Sequence, residues 1–352
     1  MKIKLAIVIP WFGKDLKGGA EQQAWQLAVR LSQKNIDVTV LTTCSRSFYH
    51  SWSKNYYQER TFVESGVTVK RFAVQKRNES LFYEISDTLL TCSEKELENE
   101  IIFKRSGEAI YCAENISSPH LLQYIHDYQD DYDYFLLLPY LFPDIIKAAS
   151  IVSHKAILQP CLHNEGYAYL QCVRDAFYRC RFLFFNSRGE MKLAQKIIGS
   201  SVGGKAEVMG EGVEVDFSLL PDKSESPQIN KPYIIYLGKR DSGKNVHVLV
   251  ESFVEYKKKS KSELALVLVG PGKFSYGNEK YDIYDFHLVS EKKKLQLLYF
   301  SKALINPSKN ESFSRVIYEA WFLKVPVIIQ RECEATFAAL EDSQMAGWAI
   351  QD

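Results

Sequence analysis

Two glutamates, Glu311 and Glu319, lie eight positions apart in the segment "NPSKNESFSRVIYEAWFLKVPVII", residues 306–329. Glu311 falls in a polar stretch, whereas Glu319 falls inside an apolar helical pattern that leads to a buried strand. Ser314 is a suitable N-cap and predicts a helix over 315–323. If the whole interval were helical, the two carboxylates would be separated by about 12 Å along the axis.

This separation suits the two ends of one nucleotide-sugar, because a carboxylate accepts hydrogen bonds from both hydroxyls of a vicinal diol. One glutamate would bind the hexose and the other the ribose, with the diphosphate near the helix N-terminus between them. The simpler interpretation is a surface Glu311 and a Glu319 on a solvated helix face. For such a pair taken alone, the simpler interpretation is the more common one.

A basic cluster follows the apolar run in "YIIYLGKRDSGKNV". The predicted strand ends at Gly238, and Lys239, Arg240 and Lys244 precede the next helix. Cations and backbone N–H groups at the carboxyl end of a strand bind anions such as pyrophosphate. A solvated basic turn is the alternative.

Two features of the first half of the chain also follow predicted strands. His163 comes after "KAILQP", where it would hydrogen-bond a sugar or an acceptor, or else cap the following helix. Gly18 and Gly19 open the first predicted helix, where they would let a ligand approach backbone N–H groups. A plain turn is the alternative for the two glycines.

The elements that must position these residues alternate between apolar runs and helical patterns. Predicted strands in the first half are "KLAIVIP", "DVTVLTT", "YDYFLLLP", "KAILQP" and "RFLFFNS", and those in the second half are "YIIYLG", "LALVLVG", "ALINP" and "VPVII". Short continuous apolar runs separated by helices are typical of parallel sheets covered on both faces. The sequence therefore predicts an α/β protein with two Rossmann-like, doubly wound domains facing across a cleft.

A polar segment with three prolines, "LLPDKSESPQINKP", predicts the boundary between these domains. We expect an N-terminal domain over 1–218, a linker over 219–231 and a C-terminal domain over 232–352. In open parallel sheets, ligands bind beyond the carboxyl ends of the strands. The candidate residues all follow predicted strands, so we expect them to line such ligand sites.

Composition narrows the class of protein. The 352 residues carry a net charge of +1, which does not support a nucleic-acid partner. The seven cysteines form no CxxC pair, and the start has neither a secretory leader nor a membrane span, so a cytoplasmic protein is expected. The basic runs "YKKKSKSE" and "SEKKK" are typical of solvated helix ends. The alternative is peripheral contact with anionic lipid at the inner face of a membrane.

A nicotinamide dehydrogenase fits the sequence poorly. The first strand–helix turn lacks G-x-G-x-x-G, and "DVTVLTTC" ends without the acidic residue that would bind a ribose. The glycines of "GPGKFSYG" have the wrong spacing for this fingerprint.

Together, these segments resemble the family-4 retaining glycosyltransferases of the GT-B fold over nearly the whole chain. The segments that carry the resemblance are "GGAEQQAWQLAVRLSQKNIDVTVLTT", "LHNEGYAY", "FNSRGEMKLA", "GEGVEVDF", "YLGKRDSGKNV", "LVGPGKF" and "PSKNESFSRVIYEAWFLKVPV". The last contains the family's Glu-x7-Glu pattern. This pattern and the basic strand end together are far more specific than either one alone.

The resemblance implies a hexosyltransferase that uses a nucleotide-diphosphate sugar, needs no metal or other cofactor, and acts on a glycan or lipid-linked acceptor, as in bacterial surface polysaccharide synthesis. It implies catalytic roles at the sugar for Glu311 and His163. The donor-binding residues that it implies are Gly18, Gly19, Lys239, Arg240, Lys244, Val289, Ser312, Phe313, Ser314 and Glu319. Retention in this family is usually assigned to same-face attack, so the resemblance implies no protein nucleophile.

Two departures from the family pattern support an alternative to an active enzyme. Lys239 follows Gly238 where the family usually has arginine, and lysine is a point charge rather than a bidentate fork. The chain also stops at "MAGWAIQD", where relatives usually continue for several helices, which suggests a truncated C-terminal domain. Both favour a catalytically inactive GT-B subunit that binds or scaffolds a partner, whereas an intact Glu-x7-Glu and Lys244 favour the enzyme.

Overall fold

The computed structural model describes residues 2–16, 18–92, 96, 106–221, 228–240, 242–272 and 275–351. The chain forms two compact units, the first comprising residues 1–186 and 190–212 and the second residues 187–189 and 213–352. Each unit is built on one largely parallel sheet with helices. The predicted α/β class with two doubly wound domains is therefore confirmed. The longer segment of the second unit begins at Val213, so this unit includes the described part of the predicted linker, whose Leu219 and Leu220 pack against its core.

The sheet of the first unit has the strand order β3-β4-β2-β1-β5-β6-β7-β8, and only the β3–β4 pair is antiparallel. Its strands are β1 (Ile3–Val8), β2 (Ile36–Thr43), β3 (Arg60–Glu64), β4 (Val67–Phe72), β5 (Tyr134–Leu137), β6 (Ala156–Leu158), β7 (Phe182–Phe185) and β8 (Ala206–Val208). The helices along this part of the chain are α1 (Gly19–Ser32), α2 (Glu79–Thr91), α3 (Ser106–Glu114), α4 (Pro119–Tyr128), α5 (Pro143–Ile151), α6 (Gln171–Arg179) and α7 (Arg188–Ile197).

The sheet of the second unit is parallel throughout, in the order β11-β10-β9-β12-β13-β14. Its strands are β9 (Tyr233–Leu237), β10 (Ala265–Val269), β11 (Ile283–Asp285), β12 (Ala303–Asn306), β13 (Val327–Gln330) and β14 (Gly347–Ile350). The helices are α8 (Val246–Lys259), α9 (Glu291–Tyr299), α10 (Arg315–Phe322) and α11 (Glu334–Asp342). Numbered within the sheet, this order is 3-2-1-4-5-6, which is that of dinucleotide-binding folds. The direction of strand addition reverses between β9 and β12.

Continuous apolar runs form these strands because helices cover both faces of the sheet. Successive side chains of a strand point to opposite faces. Ile235 of β9 belongs to one core cluster and Tyr236 to the cluster on the other face. Leu249 and Phe253 of α8 bury one side of that helix in the second cluster, and each contributes about 1.5–3 kcal/mol of stability.

A buried ion pair ties the ends of β9, β10 and β11 together. The Arg240 guanidinium donates to the Asp285 carboxylate and contacts the His287 ring, and its Nε donates to the Gly270 carbonyl at 3.0 Å. Its backbone N–H donates to the Pro271 carbonyl at 2.7 Å. The side chains of Arg240 and Asp285 are almost completely buried, so each ion depends on the other for compensation.

The first unit holds a buried carboxyl group at the start of α5. Asp144 is buried and accepts hydrogen bonds from Ser117 Oγ and the Ser118 backbone N–H, both at 2.7 Å. Burial raises the pKa of Asp144 to about 6 even though these two donors act in the opposite direction. The folded chain therefore binds this proton more tightly than the unfolded chain.

We predict that Asp285→Ala destabilises the protein by about 3–5 kcal/mol, because it leaves the buried Arg240 guanidinium without its counter-ion. Chemical denaturation measures this loss as a shift in the unfolding transition of the second unit. Lys258→Ala, which removes an exposed i,i+3 pair with Glu255, is the matched control and should leave the transition unchanged. Equal transitions for the wild type and Asp285→Ala would refute the structural role of the pair.

We predict that the stability of the Asp144→Asn variant, relative to that of the wild type, increases as pH rises from 4 to 7. The contribution of Asp144 to stability is complete below the pKa of the unfolded chain, near 4, and is lost as pH rises through about 6. The difference in free energy of unfolding between variant and wild type should change by about 2 kcal/mol over this range. Urea unfolding at a series of pH values measures it, and a difference independent of pH would contradict the prediction.

Candidate active site

The candidate residues of the second unit gather where the order of its strands reverses. β9 and β12 are parallel neighbours, with Ile234 opposite Ala303 and Ile235 opposite Leu304. The loops that follow the two strands therefore leave from the same edge of the sheet. In doubly wound sheets, this edge at the reversal point is the ligand-binding position.

An ion pair joins these two loops. Lys244 Nζ lies 2.9 Å from Glu311 Oε1 and also donates to the Asn310 carbonyl at 3.0 Å. Asn306 Nδ2 lies 3.4 Å from the same oxygen of Glu311. The side chains of Lys244 and Glu311 are 23% and 15% exposed, so both retain contact with solvent. A cation suited to phosphate and a carboxylate suited to hydroxyl groups therefore meet at this edge.

Helix α10 begins directly after Glu311 and its following loop. The helix starts at Arg315, as predicted, and Ser314 is its N-cap residue with a left-handed backbone (φ 68°). The Ser314 side chain makes no capping hydrogen bond, and its Oγ instead accepts from Asn306 Nδ2 at 2.8 Å. Ser312 and Phe313 are buried, and the Phe313 ring stacks on Tyr318 at a centroid distance of 4.3 Å. The cap hydroxyl therefore leaves the first N–H groups of α10 to other acceptors.

Glu319 lies on the inner side of α10, contrary to the solvated-face alternative. It is only 8% exposed, and its Oε2 accepts from Lys294 Nζ of α9 at 2.9 Å. Lys294 also contacts Glu291 Oε1 at 2.7 Å. Burial would lower the pKa of Lys294, but the Glu319 and Glu291 carboxylates outweigh it, so the pKa lies above its ordinary value. This side chain therefore stays protonated near neutral pH.

The basic residues that follow β9 have two different environments. The Arg240 guanidinium is bound by the Asp285 carboxylate, the His287 ring and the Gly270 carbonyl, so it serves the packing of the sheet edge. Lys239 is half-buried, and its carbonyl accepts from Tyr236 Oη at 2.6 Å. The geometry thus favours Lys239 and Lys244 over Arg240 as cations for a ligand.

Two glycines let the ends of β9 and β10 approach each other closely. A Cβ on Gly270 would lie 1.8 Å from the Gly238 carbonyl oxygen. Gly270 also has a φ of 141°, which side chains rarely adopt. No other residue fits at Gly270 without displacing the turn at Gly238.

Val289 lies between β11 and α9, and it packs against the core of the second unit. Ser290, which follows it, caps α9 by accepting a hydrogen bond from the Lys293 backbone N–H at 3.3 Å. Val289 is therefore held directly before the helix that carries Lys294.

Gly18 and Gly19 stand at the start of α1 in the first unit. Gly18 has an extended backbone as the N-cap residue, and Gly19 is the first helical residue. A Cβ on Gly18 would lie 1.9 Å from Glu21 Oε2, because the Glu21 side chain folds back over it. Burial raises the pKa of Glu21. The absence of a side chain at Gly18 therefore leaves room for the buried carboxyl group of Glu21.

His163 follows β6, at the carboxyl edge of the first sheet. Its Nδ1 lies 4.0 Å from Glu165 Oε1, which accepts a hydrogen bond from Tyr140 Oη at 2.8 Å. The His163 side chain is 30% exposed, so it is accessible to a ligand.

A buried amide network beside this histidine was not predicted from the sequence. Asn186 Oδ1 accepts hydrogen bonds from Gln23 Nε2 at 2.7 Å and Gln159 Nε2 at 2.9 Å. Cys161 Sγ lies 3.4 Å from Gln23 Oε1. Gln159 and Asn186 each follow an apolar run directly, which is the signal that could have identified them. The network connects α1 with the segments that follow β6 and β7.

Two further features concern the described part of the chain alone. Within it, no group of three or more histidine, cysteine, aspartate or glutamate side chains is arranged to hold a metal ion. None of its helices is both long and apolar enough to cross a membrane.

The two doubly wound sheets match the GT-B fold of solved glycosyltransferase structures. Residues 221–350 match the family model described as "Glycosyl transferases group 1". This range contains Lys239, Lys244, Glu311 and Glu319. No curated protein sequence matches the chain.

Solved structures of the same fold match the chain over nearly its whole length. A sucrose-phosphate synthase from Thermosynechococcus elongatus superposes with a TM-score of 0.65 at 12% identity, covering 99% of this chain and 86% of that one. HepE of Anabaena, in complex with UDP and glucose, gives 0.60 at 13% identity, with 95% and 82% covered. WaaG, a glycosyltransferase involved in lipopolysaccharide biosynthesis, gives 0.61 at 13% identity, with 99% and 86% covered. The fold and the family match together support a GT-B glycosyltransferase.

We predict that Lys244 and Glu311 are coupled energetically. In a double-mutant cycle with Lys244→Met and Glu311→Gln, the free energies of unfolding should be non-additive by about 1–2 kcal/mol. The pair Lys309–Glu332, which is more exposed at a similar distance of 2.8 Å, is the matched control and should couple more weakly. Additive effects for Lys244 and Glu311 would show that the contact does not hold the two loops together.

Proposed function

We propose that the protein is a retaining glycosyltransferase that moves a hexose from a nucleotide-diphosphate donor to a glycan or lipid-linked acceptor. The observation that carries this proposal is the Lys244–Glu311 contact at the strand-order reversal, with Glu319 on the helix that follows. Phosphate and hydroxyl groups are the two chemistries that this combination recognises. A nucleotide-sugar contains both within one molecule.

The cations of the second unit would bind the donor diphosphate. Lys244 and Lys239 follow β9, and Lys244 contacts Asn310 and Glu311 in the loop that leads to the positive dipole end of α10. As the bond to the sugar breaks, negative charge grows on the departing diphosphate. Fixed cations and backbone N–H groups stabilise that charge without reorganisation. This arrangement supports a reaction that does not depend on a bound metal.

The two glutamates would bind the sugars at either end of the donor. Glu311 is the acceptor for hexose hydroxyl groups, and Glu319 for the ribose hydroxyl groups. Ser312, Phe313 and Ser314 lie between them and would offer backbone N–H groups to the sugar and the phosphates. We assign Val289 to the nucleotide base, since it precedes α9.

The proposed reaction needs no nucleophile from the protein. The acceptor hydroxyl oxygen attacks the anomeric carbon on the face from which the diphosphate leaves. The bond from the anomeric carbon to the phosphate oxygen breaks, and its electron pair remains on the diphosphate. A donor phosphate oxygen takes the acceptor proton. On the first unit, we assign His163 to hydrogen bonding with the sugar or acceptor, and Gly18 and Gly19 to backbone contacts with phosphate.

The choice of acceptor and location rests on likeness to other proteins and on composition. WaaG is involved in lipopolysaccharide biosynthesis, which supports a role here in bacterial surface polysaccharide synthesis. All seven cysteines are thiols rather than disulfides, which supports a cytoplasmic location. The lysines at the end of α8 would serve peripheral contact with a membrane that carries a lipid-linked acceptor.

Isothermal titration with uridine, guanosine, adenosine and thymidine diphosphates tests the binding step. Binding of at least one of them is expected, with or without a metal chelator. No binding of any would overturn the enzyme proposal and favour a GT-B subunit that only scaffolds a partner. A requirement for added metal would overturn the metal-independent chemistry alone.

We predict that Glu311→Ala and Glu319→Ala both impair transfer, measured as turnover of a panel of nucleotide-sugars. Each removes hydrogen bonds to a charged acceptor, so kcat/KM should fall about 10- to 100-fold. Glu319→Ala should act mainly through KM for the donor, because ribose contacts are the same in the ground state and the transition state. Glu255→Ala, on the exposed face of α8, is the matched control. Unchanged kinetics in both variants would refute the site assignment.

A further inference from the structure

Lys294 links two carboxylates on neighbouring helices of the second unit. Its Nζ lies 2.7 Å from Glu291 Oε1 on α9 and 2.9 Å from Glu319 Oε2 on α10. The Lys294 and Glu319 side chains are 20% and 11% exposed, whereas that of Glu291 is 54% exposed. The contact that is shielded from water is therefore the one with Glu319, which makes it the stronger of the two.

The contact restricts how the Glu319 carboxylate is turned. Oε2 is occupied by the lysine, and the described residues make no hydrogen bond to Oε1. An ammonium group has three donors, so Lys294 can bind both glutamates at once without releasing either. Glu319 thus has one oxygen anchored and one oxygen that remains an acceptor.

We propose that Lys294 is a positioning residue that aims the second oxygen of Glu319 at the ribose of the nucleotide. The proposal rests on the proposed function, in which Glu319 accepts from the ribose hydroxyl groups. A carboxylate held in one orientation loses less conformational freedom when it binds a diol than a mobile one does. Lys294 therefore determines how strongly the site distinguishes a ribonucleotide from its 2′-deoxy analogue.

The proposal explains why a cation stands beside a carboxylate that would otherwise be buried alone. A lone buried carboxylate gains a proton or turns towards water, and neither form is a fixed acceptor. The neighbouring cation holds the Glu319 carboxylate in place through its contact with Oε2. Lys294 would touch Glu319 and not the substrate, so its effect should appear in discrimination between nucleotides more than in catalysis.

The test compares the affinity of one nucleoside diphosphate with that of its 2′-deoxy analogue by isothermal titration. The base is the one that the wild type binds most tightly among the uridine, guanosine and adenosine diphosphates, which all carry the 2′-hydroxyl group. We expect the wild type to prefer the ribonucleotide by about tenfold or more, since a hydrogen bond to a charged group is lost in the analogue. In Lys294→Met this preference should fall to about threefold or less. The fall should come from weaker ribonucleotide binding, with deoxynucleotide binding unchanged.

Lys292→Met is the matched control, because Lys292 lies on the exposed side of the same helix and its loss changes the net charge equally. It should keep the wild-type preference. Lys294→Arg, which retains the cation, should restore part of the preference lost in Lys294→Met. The ratio of two affinities is measured on the same folded molecules, so it does not depend on any loss of stability.

The outcomes separate this inference from the function on which it rests. No nucleotide binding by the wild type would overturn both. A wild type that binds both analogues equally would overturn the ribose contact of Glu319 and hence the inference, while leaving diphosphate binding intact. A preference that survives in Lys294→Met would overturn the positioning role alone.

Discussion

Parallel pairing of β9 with β12 is the constraint on which the rest of the second unit depends. It places the carboxyl ends of two strands at one edge, although the residues that follow them are distant in the chain. Lys244 and the Asn310 carbonyl that it contacts are 66 positions apart. The helices that return the chain between successive strands lie on the faces of the sheet, so they leave this edge to the loops. Every candidate residue of the unit belongs to such a loop or to the first turns of the helix that follows it.

Several ion pairs of the described residues lie near this edge, and three of them differ in how deeply they are buried. Arg240 and Asp285 are closed off from water, and their pair holds strand ends together. Lys244 with Glu311, and Lys294 with Glu319, keep part of each side chain exposed. A pair that still contacts solvent can also contact a ligand at modest cost, whereas a fully buried pair cannot. Burial therefore separates the structural ions from those available for chemistry.

The fold class could be predicted because several short continuous apolar runs alternate with helical patterns, which is typical of strands covered on both faces. The start of α10 at Arg315 could be predicted from Ser314, but the left-handed backbone of that serine could not, because its hydroxyl is bound by Asn306. Lys239 and Arg240 are adjacent cations, and the sequence gives no reason to prefer one of them as the ligand-binding residue. The structure shows that the arginine turns into the sheet edge, where its backbone pairs with Pro271 and its guanidinium with Asp285.

The environment of Glu319 could not be predicted from the sequence, for a similar reason. The apolar residues around it predict a helix and an inner face, but its partner Lys294 is 25 positions away, within a run of three lysines. Periodicity cannot tell which lysine of that run points inward, because the answer depends on how α9 packs against α10. The same limit applies to Gln23, Gln159 and Asn186, which meet only because three separate segments converge.

The Lys244–Glu311 contact has a consequence for selectivity among anions. Because Lys244 already has a carboxylate as its neighbour, an incoming anion must compete with a counter-ion that is part of the chain. Inorganic phosphate or sulfate would bind the lysine and leave the largely buried Glu311 carboxylate without its counter-ion, at a cost of about 1–3 kcal/mol. A molecule that brings hydroxyl groups together with its phosphates satisfies both side chains. Under the proposed function, the ion pair would therefore favour phosphorylated polyols over simple anions.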